Sequence, residues 1–299
     1  MRITHQMIKN RVIGNIQNNL QNMSRFQDML SSGKSVSKPS DDPLKVARIM
    51  GYNSTLQQVE QHQRNIEASR SWLNTTEDAL HHITEVMQRA QELAVRGANE
   101  TLSPQAREAI GMEVDELINV LVQFGNASHA GRYIFSGHLT TTRPLERDYA
   151  AGAGAAGVSY AGDQGSINWE VAPNVTIRSN LTADELFFSS GLLAGMEELA
   201  QAMFNNDTTA AGNSIESLQQ AADSVLSKRA ALGAISNGLD LSTESFATQK
   251  INFTSLRSQL EDIDFTETMM NFSVMDTIYR ASLSSSARIM QPSLLDFLR

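Results

Sequence analysis

An unbroken seven-residue apolar repeat near the carboxyl end constrains the fold of this chain more than any other feature. The repeat places a large apolar side chain at Leu218, Val225, Leu232, Leu239, Phe246, Phe253 and Leu260. Because 3.5 residues per turn is close to the natural period of the α-helix, such a repeat keeps one apolar seam facing a partner helix. The stretch from Ile215 to about Leu260 is therefore predicted to form one helix, roughly 70 Å long at 1.5 Å per residue.

A second heptad stretch supplies the partner for this helix. It begins at Asp42-Pro43, a pairing typical of an N-cap residue followed by the first helical position. Its repeat positions are Tyr52, Val59, Ile66, Leu73, Leu80, Met87 and Ala94. Its seam tapers to Ala and Gly near the end of the stretch, which lets a neighbouring helix approach closely. We expect the two helices to pair within one subunit.

The two ends of the chain carry helical patterns that are too lightly or too one-sidedly apolar to be stable alone. They are predicted to pair with each other or with copies from other subunits, and their apolar residues form the predicted assembly interface. These residues are Ile13, Ile16, Leu20, Met23, Leu30, Phe265, Met269, Phe272, Met275, Tyr279, Leu283, Ile289 and Met290.

Between the long helices, the sequence changes character twice. Ser103-Pro104 predicts the start of a third helix. Residues 132–180 contain short β-rich runs: one at Arg132–Gly137, and two strands that are expected to join at Pro173-Asn174. Thr182 and Glu185 have the spacing of a capping box, so helix is expected to return there and continue through Met203. The predicted fold class is mainly α: a long antiparallel coiled-coil rod with paired terminal helices and a small β-rich inserted domain. The predicted domains are 1–40 with 265–299, 41–131 with 181–264, and 132–180.

Charge and composition disfavour several classes of function. The formal net charge is −9 and there is no long basic run, so binding to nucleic acid or to an anionic membrane is not expected. No window approaches the ~20 apolar residues that span a bilayer, and the first residues lack a secretory apolar core. Export, if it occurs, is expected to use no cleaved signal peptide. The chain contains no cysteine, which excludes thiolate metal sites and thiol nucleophiles.

Candidate chemical sites each have a simpler interpretation. Gly152–Gly157 spells G-x-G-x-x-G, but the strand before it and the helix after it that a dinucleotide site needs are not indicated. His81 and His82 are adjacent and are expected to point to different sides of their helix. Asp41 and Asp42 precede Pro43, where capping explains them, and Lys228-Arg229 is expected to be solvated or flanking. We therefore predict no catalytic, cofactor-binding or metal-binding residues.

Several motifs resemble the flagellin family. Leu30–Lys34, followed by Pro39–Pro43, resembles the L-S-T-G and P-S-D-D-P motifs after the first helix of flagellins, although Ser35 stands where that family often has a basic residue. Asn126–Gly137 is similar to the G-R-Y-I-F-S-G signature of the hook-associated protein 3 family, the hook–filament junction branch. Trp72–Thr76 and Tyr160–Asp163 are similar to that family too.

This resemblance implies a non-enzymatic structural protein of the bacterial flagellum, without cofactors, that is exported unfolded through the type III apparatus. It implies a ring of copies of the chain between hook-associated protein 1 and flagellin. It further implies an export chaperone that holds the C-terminal helix, and terminal segments that are disordered in the free monomer. The alternatives are a short flagellin that forms the filament itself, a cytoplasmic coiled-coil regulator, and an enzyme that uses the glycine-rich loop.

Overall fold

In a computed structural model, residues 5–148 and 157–290 are described. They form six α-helices: α1 (His5–Ser32), α2 (Pro43–Gly97), α3 (Pro104–Gly125), α4 (Leu192–Phe204), α5 (Thr208–Glu261) and α6 (Phe265–Met290). Six short strands lie between α3 and α4: β1 (Ser128–His129), β2 (Arg132–Tyr133), β3 (Leu145–Arg147), β4 (Val158–Tyr160), β5 (Asn168–Ala172) and β6 (Val175–Arg178). The prediction of a mainly α fold with long helices and a small β-rich part is confirmed.

The chain divides into two compact units. Unit 1 comprises Met1–Val59 and Thr248–Arg299, and unit 2 comprises Glu60–Ala247. The long helices α2 and α5 contribute residues to both units.

Unit 2 contains most of the paired length of α2 and α5, which run antiparallel. Gln91 Nε2 donates a hydrogen bond to the carbonyl oxygen of Leu218 at 3.4 Å. Farther along the pair, Arg70 Nη1 lies 3.1 Å from Asp240 Oδ1. The heptad side chains fill the seam, with Leu80, Ala94, Leu218, Val225 and Leu239 all fully buried. The predicted pairing of the two heptad helices within one chain is therefore confirmed.

Two shorter helices, α3 and α4, pack beside the part of this seam where α2 ends and α5 begins. Ser103 caps α3, since its hydroxyl oxygen accepts a hydrogen bond from the backbone N–H of Ala106 at 3.3 Å. The buried guanidinium of Arg107 donates to the carbonyl oxygens of Gly97 and Asn99, at 3.1 and 2.8 Å, and to the side chain of Asn206. Arg107 thereby fastens the end of α2 to the turn between α4 and α5.

The approach to α4 differs from the sequence prediction. Thr182 and Glu185 form the predicted capping box, with two reciprocal hydrogen bonds of 3.3 Å. The helix that follows is a single π-helical turn, Asp184–Phe188, which ends before Gly191 at φ 75°. The expectation of a continuous helix from the capping box to Met203 is therefore wrong, because α4 starts only after this left-handed residue.

The strands form three separate antiparallel pairs rather than one sheet. Strand β1 pairs with β2, β3 with β4, and β5 with β6 across the turn at Pro173-Asn174. The predicted hairpin around that turn is confirmed. Ile134 and Phe135, predicted to be β-like, instead lie in a buried turn after β2. Gly152–Ala156 of the glycine-rich loop lie outside the described residues.

Unit 1 contains the antiparallel pair of α1 and α6 together with the ends of α2 and α5. Asn19 Nδ2 donates to Ser282 Oγ across the α1–α6 pair at 3.1 Å. In the other pair, the rings of Tyr52 and Phe253 lie 6.1 Å apart, and Arg257 Nη1 donates to Asn53 Oδ1 at 3.1 Å.

Candidate assembly surface

The seam between α1 and α6 is narrow and mostly built from small or polar side chains. Thr268 and Ser286 of α6 are buried there. A cleft of about 330 Å³ remains in the seam, lined by Val12, Asn15, Ile16, Ile278, Ala281, Ser282, Ser285 and Ser286. Val12, Ile16 and Ile278 are the large apolar side chains of this lining, and they leave the cleft between the helices unfilled.

The predicted interface residues lie along this helix pair but are not enclosed by it. Six are half-buried: Ile16, Met23, Leu30, Phe272, Met275 and Tyr279. Five are exposed: Ile13 (42%), Leu20 (46%), Phe265 (63%), Met269 (50%) and Leu283 (43%). The side chains of Ile289 and Met290 lie outside the described residues. Within the described part of α1 and α6, none of the predicted interface residues is buried.

A second exposed apolar stripe on α6 was missed by the sequence analysis. Met270, Val274 and Ile278 follow one another at intervals of four residues and are 60%, 50% and 40% exposed. Because each residue rotates the helix by about 100°, this stripe lies on a different side of α6 from Phe265 and Met269. The four-residue spacing was visible in the sequence and could have revealed it. Helix α6 thus presents apolar side chains to solvent in two directions.

The two terminal helices are tied together where they join the rest of unit 1. Residues 33–35, just after α1, pair with residues 260–263, which comprise the last two residues of α5 and the two that follow it; we name these seven residues the junction clasp. Lys34 and Asp262 form an antiparallel β-bridge. The N–H of Ser35 donates to the carbonyl oxygen of Glu261 at 2.7 Å, and the N–H of Ile263 donates to that of Gly33 at 3.2 Å. The sequence analysis noted Ser35 only as a departure from the family motif and missed these contacts.

Capping residues set where the helices of unit 1 start. Asp42 Oδ1 accepts hydrogen bonds from the N–H groups of Leu44 and Lys45, at 3.1 and 3.0 Å, as the Asp-Pro pairing predicts. Asp264 Oδ1 accepts from the N–H of Glu267 at 3.1 Å at the start of α6. Asp41 instead binds the loop N–H groups of Ser37 and Lys38. These carboxylates are therefore explained by backbone hydrogen bonds.

The Gly-Arg-Tyr-Ile-Phe-Ser-Gly motif of unit 2 has a structural explanation. Phe135 is fully buried against Phe187, with ring centroids 6.5 Å apart, and its carbonyl oxygen accepts from the N–H of Ala183 at 2.8 Å. Gly137 has φ 70°, and a Cβ atom there would lie 2.0 Å from Asp163 Oδ1. A glycine is therefore required at this position.

The Tyr-Ala-Gly-Asp motif lies against the same turn. Asp163 Oδ1 accepts from the N–H of His138 at 2.5 Å and from that of Gly165 at 3.1 Å. The hydrogen bond from His138 holds the pKa of Asp163 below its ordinary value. The Tyr160 hydroxyl donates to the carbonyl oxygen of Asp163, and burial raises the pKa of Tyr160 to about 12. The two motifs thus fix the β-rich part to the π-helical turn.

The expectation about His81 and His82 is wrong, and one of the two alternatives for Arg229 holds. His81 and His82 do not point apart: their ring centroids are 5.7 Å apart, and both approach Glu85, at 3.6 and 3.0 Å. A hydrogen bond from His82 lowers the pKa of Glu85. Arg229 takes the flanking position that the sequence allowed: its Nε donates to Glu77 at 3.0 Å and its Nη1 to Thr84 at 3.2 Å across the seam.

Clusters of metal-ligating side chains and helices of membrane-spanning character are both absent from the described part of the chain. Across residues 5–148 and 157–290, no three His, Cys, Asp or Glu side chains come together in a way that could hold a metal ion. Over the same residues, no helix is both long and apolar enough to span a bilayer.

Comparison with known proteins identifies the family. The sequence profile of the bacterial flagellin N-terminal helical region matches residues 3–140, and that of the C-terminal helical region matches residues 215–298. The chain therefore belongs to the flagellin family, whose members are structural proteins of the bacterial flagellum rather than enzymes.

Within that family, the chain is similar to hook-associated protein 3. It is 25% identical to flagellar hook-associated protein 3 of Escherichia coli K12 over 94% of this chain and 95% of that protein. It is 22% identical to the flagellin of Halalkalibacterium halodurans over 100% of both chains. Solved structures of FlgL share the fold: the Bacillus cereus protein has a TM-score of 0.59 at 24% identity, covering 70% of this chain and 99% of that chain. The Xanthomonas campestris protein has a TM-score of 0.60 at 18% identity, covering 69% and 99%. The resemblance stated from the motifs is confirmed.

Proposed function

We propose that the chain is an adaptor that forms a ring between the hook and the filament and assembles through α1 and α6. The observation that carries this proposal is the set of large apolar side chains that α1 and α6 leave open to solvent, such as Leu20, Phe265 and Met269. Full-length similarity to hook-associated protein 3 supports the place in the flagellum.

Assembly is driven by burial of these side chains between neighbouring copies. Each large apolar side chain that becomes fully buried stabilises the assembly by about 1.5–3 kcal/mol, before the cost of ordering is subtracted. Ordering a helix costs about 1–2 kcal/mol per residue in backbone entropy, so an isolated α1 or α6 gains too little from its narrow seam. In this proposal the terminal segments, 1–40 and 265–299, become ordered when copies meet.

The partners follow from this position. Copies of the chain contact one another around the ring, hook-associated protein 1 lies on the hook side, and flagellin lies on the filament side. Before assembly, the chain is exported without a cleaved signal peptide through the type III apparatus, and an export chaperone covers the C-terminal helix. The apolar stripes of α6 supply a surface of the kind that such a chaperone would cover.

A second candidate function is that of a short flagellin that forms the filament itself. The similarity to the Halalkalibacterium halodurans flagellin over the whole of both chains favours it. Copy number separates the two functions, since a filament contains thousands of subunits and a junction contains one ring.

Immunogold labelling of sheared flagella, combined with a subunit count by mass spectrometry, tests the proposal. The adaptor function predicts gold only at the hook–filament boundary and a count that corresponds to one ring. Labelling along the whole filament would instead identify a flagellin. Absence of the chain from purified flagella would contradict both functions.

A further inference from the structure

We propose that the junction clasp sets the register in which α1 pairs with α6, so that their open apolar side chains form one continuous surface. The use of that surface rests on the function proposed above. The preference for one register belongs to the single chain, in which α1 and α6 pair transiently before assembly, and it can be measured there.

The seam between α1 and α6 is poorly suited to set its own register. In an ordinary coiled coil, large side chains inserted into holes of the facing helix make every displaced register costly. Here the large apolar side chains of Val12, Ile16 and Ile278 leave a cleft open instead of filling holes. The other facing side chains are small or polar: Asn15, Asn19, Ala281, Ser282, Ser285 and Ser286. A displacement of one helical turn, about 5.4 Å, would place similar small side chains opposite one another. The energy difference between registers in the seam is therefore small.

The junction clasp has the directional contacts that the seam lacks. The hydrogen bond from the Ser35 N–H to Glu261 and that from the Ile263 N–H to Gly33 join the two segments in both directions, as in an antiparallel bridge. The Ser35 hydroxyl adds a third bond, donated to the carbonyl oxygen of Leu260 at 3.0 Å. None of these bonds survives a shift of one segment past the other.

Charge pairing reinforces the same alignment. Lys34 Nζ lies 2.5 Å from the carboxylate of Glu261, and Arg257 Nε lies 3.6 Å from it. The Glu261 side chain is only 13% exposed, so its charge is screened less by solvent than that of a surface pair. A carboxylate placed between two cations in this way favours a single position for Lys34.

The junction clasp lies close to both helices along the chain. Helix α1 ends at Ser32, one residue before the clasp, and α6 begins at Phe265, two residues after it. Because so few residues separate the clasp from either helix, its alignment sets the positions of α1 and α6 along each other. The contact between Asn19 and Ser282 reports the register that results.

Disulfide trapping in the full-length chain measures this register, because the native sequence contains no cysteine. One reporter combines Asn19→Cys with Ser282→Cys, the pair whose side chains meet. The other combines Asn19→Cys with Ser286→Cys, which meet only after a slip of one turn. Oxidation traps transient pairing, so the ratio of the two rates reports register preference even when the helices exchange between ordered and disordered states. We expect the first reporter to oxidise at least about tenfold faster, as the loss of two or three directional hydrogen bonds implies.

Substitution at Ser35 tests whether the junction clasp causes this preference. Ser35→Pro removes both the N–H and the hydroxyl donor, and we expect it to reduce the rate ratio to about threefold or less. Ser35→Thr keeps both donors and should retain the ratio. Ser37→Pro is the matched control, since it makes the same change two residues away and removes only a bond to Asp41.

The inference is overturned if Ser35→Pro keeps the parental ratio, if Ser37→Pro lowers it equally, or if neither reporter forms a cross-link in the parent chain. Thermal melting of unit 2, followed in each variant, verifies that the long-helix part remains folded. Incorporation of each variant into flagella is measured separately, by the immunogold labelling described above. A chain absent from flagella whose register still depends on Ser35 would refute the adaptor function and leave the register inference standing.

Discussion

In unit 2 the side chains of Leu80, Leu218 and Leu239 are fully buried, whereas in unit 1 Leu20 and Leu283 leave more than two fifths of their surface exposed. Both units are built on helices with apolar repeats. The difference is the number of layers. In unit 2, α3 packs beside α2, with the rings of Phe124 and His82 stacked 4.8 Å apart, and α4 packs beside α5 where Gly195 faces Leu218. The described residues of unit 1 leave α1 and α6 with open apolar sides. An apolar helical repeat therefore stabilises a single chain only when other helices of that chain cover its apolar side chains.

Charge separates the two units as well. The 24 basic residues of the chain divide into 13 in unit 1 and 11 in unit 2, and its 33 acidic residues into 9 and 24. The formal net charge is therefore +4 for unit 1 and −13 for unit 2. Since surface charges are screened over about 8 Å at physiological salt, repulsion between copies is expected to be weaker for unit 1 than for unit 2. Association of copies through the apolar sides of unit 1 is consistent with this difference.

The largest effect is expected from a charge placed on the α6 surface. Phe272→Asp should abolish incorporation into the flagellum and motility, because a carboxylate there would be buried without a partner in the assembly. The melting temperature of unit 2 should not change. Motility assays and blots of purified flagella provide the measurement.

Met112→Asp is the matched control for this substitution. Met112 is an exposed apolar residue of α3, 58% accessible, and belongs to unit 2. Normal incorporation of this variant is expected. Failure of both variants to assemble would mean that the two units do not differ in their role, and normal motility of Phe272→Asp would refute the assignment of the interface to α6.

Truncation of one leucine in each unit should separate folding from assembly. Leu80→Ala removes a fully buried side chain from the α2–α5 seam and should lower the free energy of unfolding of unit 2 by about 2–5 kcal/mol. Leu20→Ala changes a side chain that is 46% exposed and should lower the stability of the isolated chain by less than about 1 kcal/mol. Denaturant titration measures both values. Equal losses would remove the distinction between the units.

The smallest effect concerns alkaline pH and unit 2 alone. Burial raises the pKa of Tyr160 to about 12 in the folded chain, above the ordinary value of 10.0. The neutral phenol therefore favours the folded state, and this contribution is complete below pH 10 and is lost as the pH rises toward 12. Thermal melts between pH 9 and pH 11.5 should fall more steeply for the parent chain than for Tyr160→Phe. If the melting temperatures of the two proteins fell equally with pH, the Tyr160 phenol would not contribute to the stability of the folded chain.

Local sequence signals predicted the long helices and their caps well. The heptad repeats that contain Leu80 and Leu218 predicted the pairing of α2 with α5. The predicted helix caps are also present, at Asp42, Ser103 and the pair Thr182 and Glu185. These features depend on residues close together along the chain or on a repeat carried by one helix. Periodicity and hydrogen-bond chemistry are therefore sufficient to find them.

Features that depend on residues far apart in sequence were missed. In the junction clasp Ser35 binds Glu261, and across the α2–α5 seam Arg229 binds Glu77. These partners are so far apart in sequence that no local pattern could pair them. The turn at Phe135 is fixed by Ala183 and Asp163 rather than by its own β-propensity. Tertiary hydrogen bonds override local preference at such positions.

Limited proteolysis of the full-length chain, in isolation and within purified flagella, tests whether α1 and α6 become stable only when copies meet. In the isolated chain, a brief digestion should remove about residues 1–40 and 265–299 and leave a fragment that contains all of unit 2. In flagella, the same digestion should leave the chain intact. Ends that resist cleavage in the dilute isolated chain, or ends that are cut equally in both states, would contradict the account.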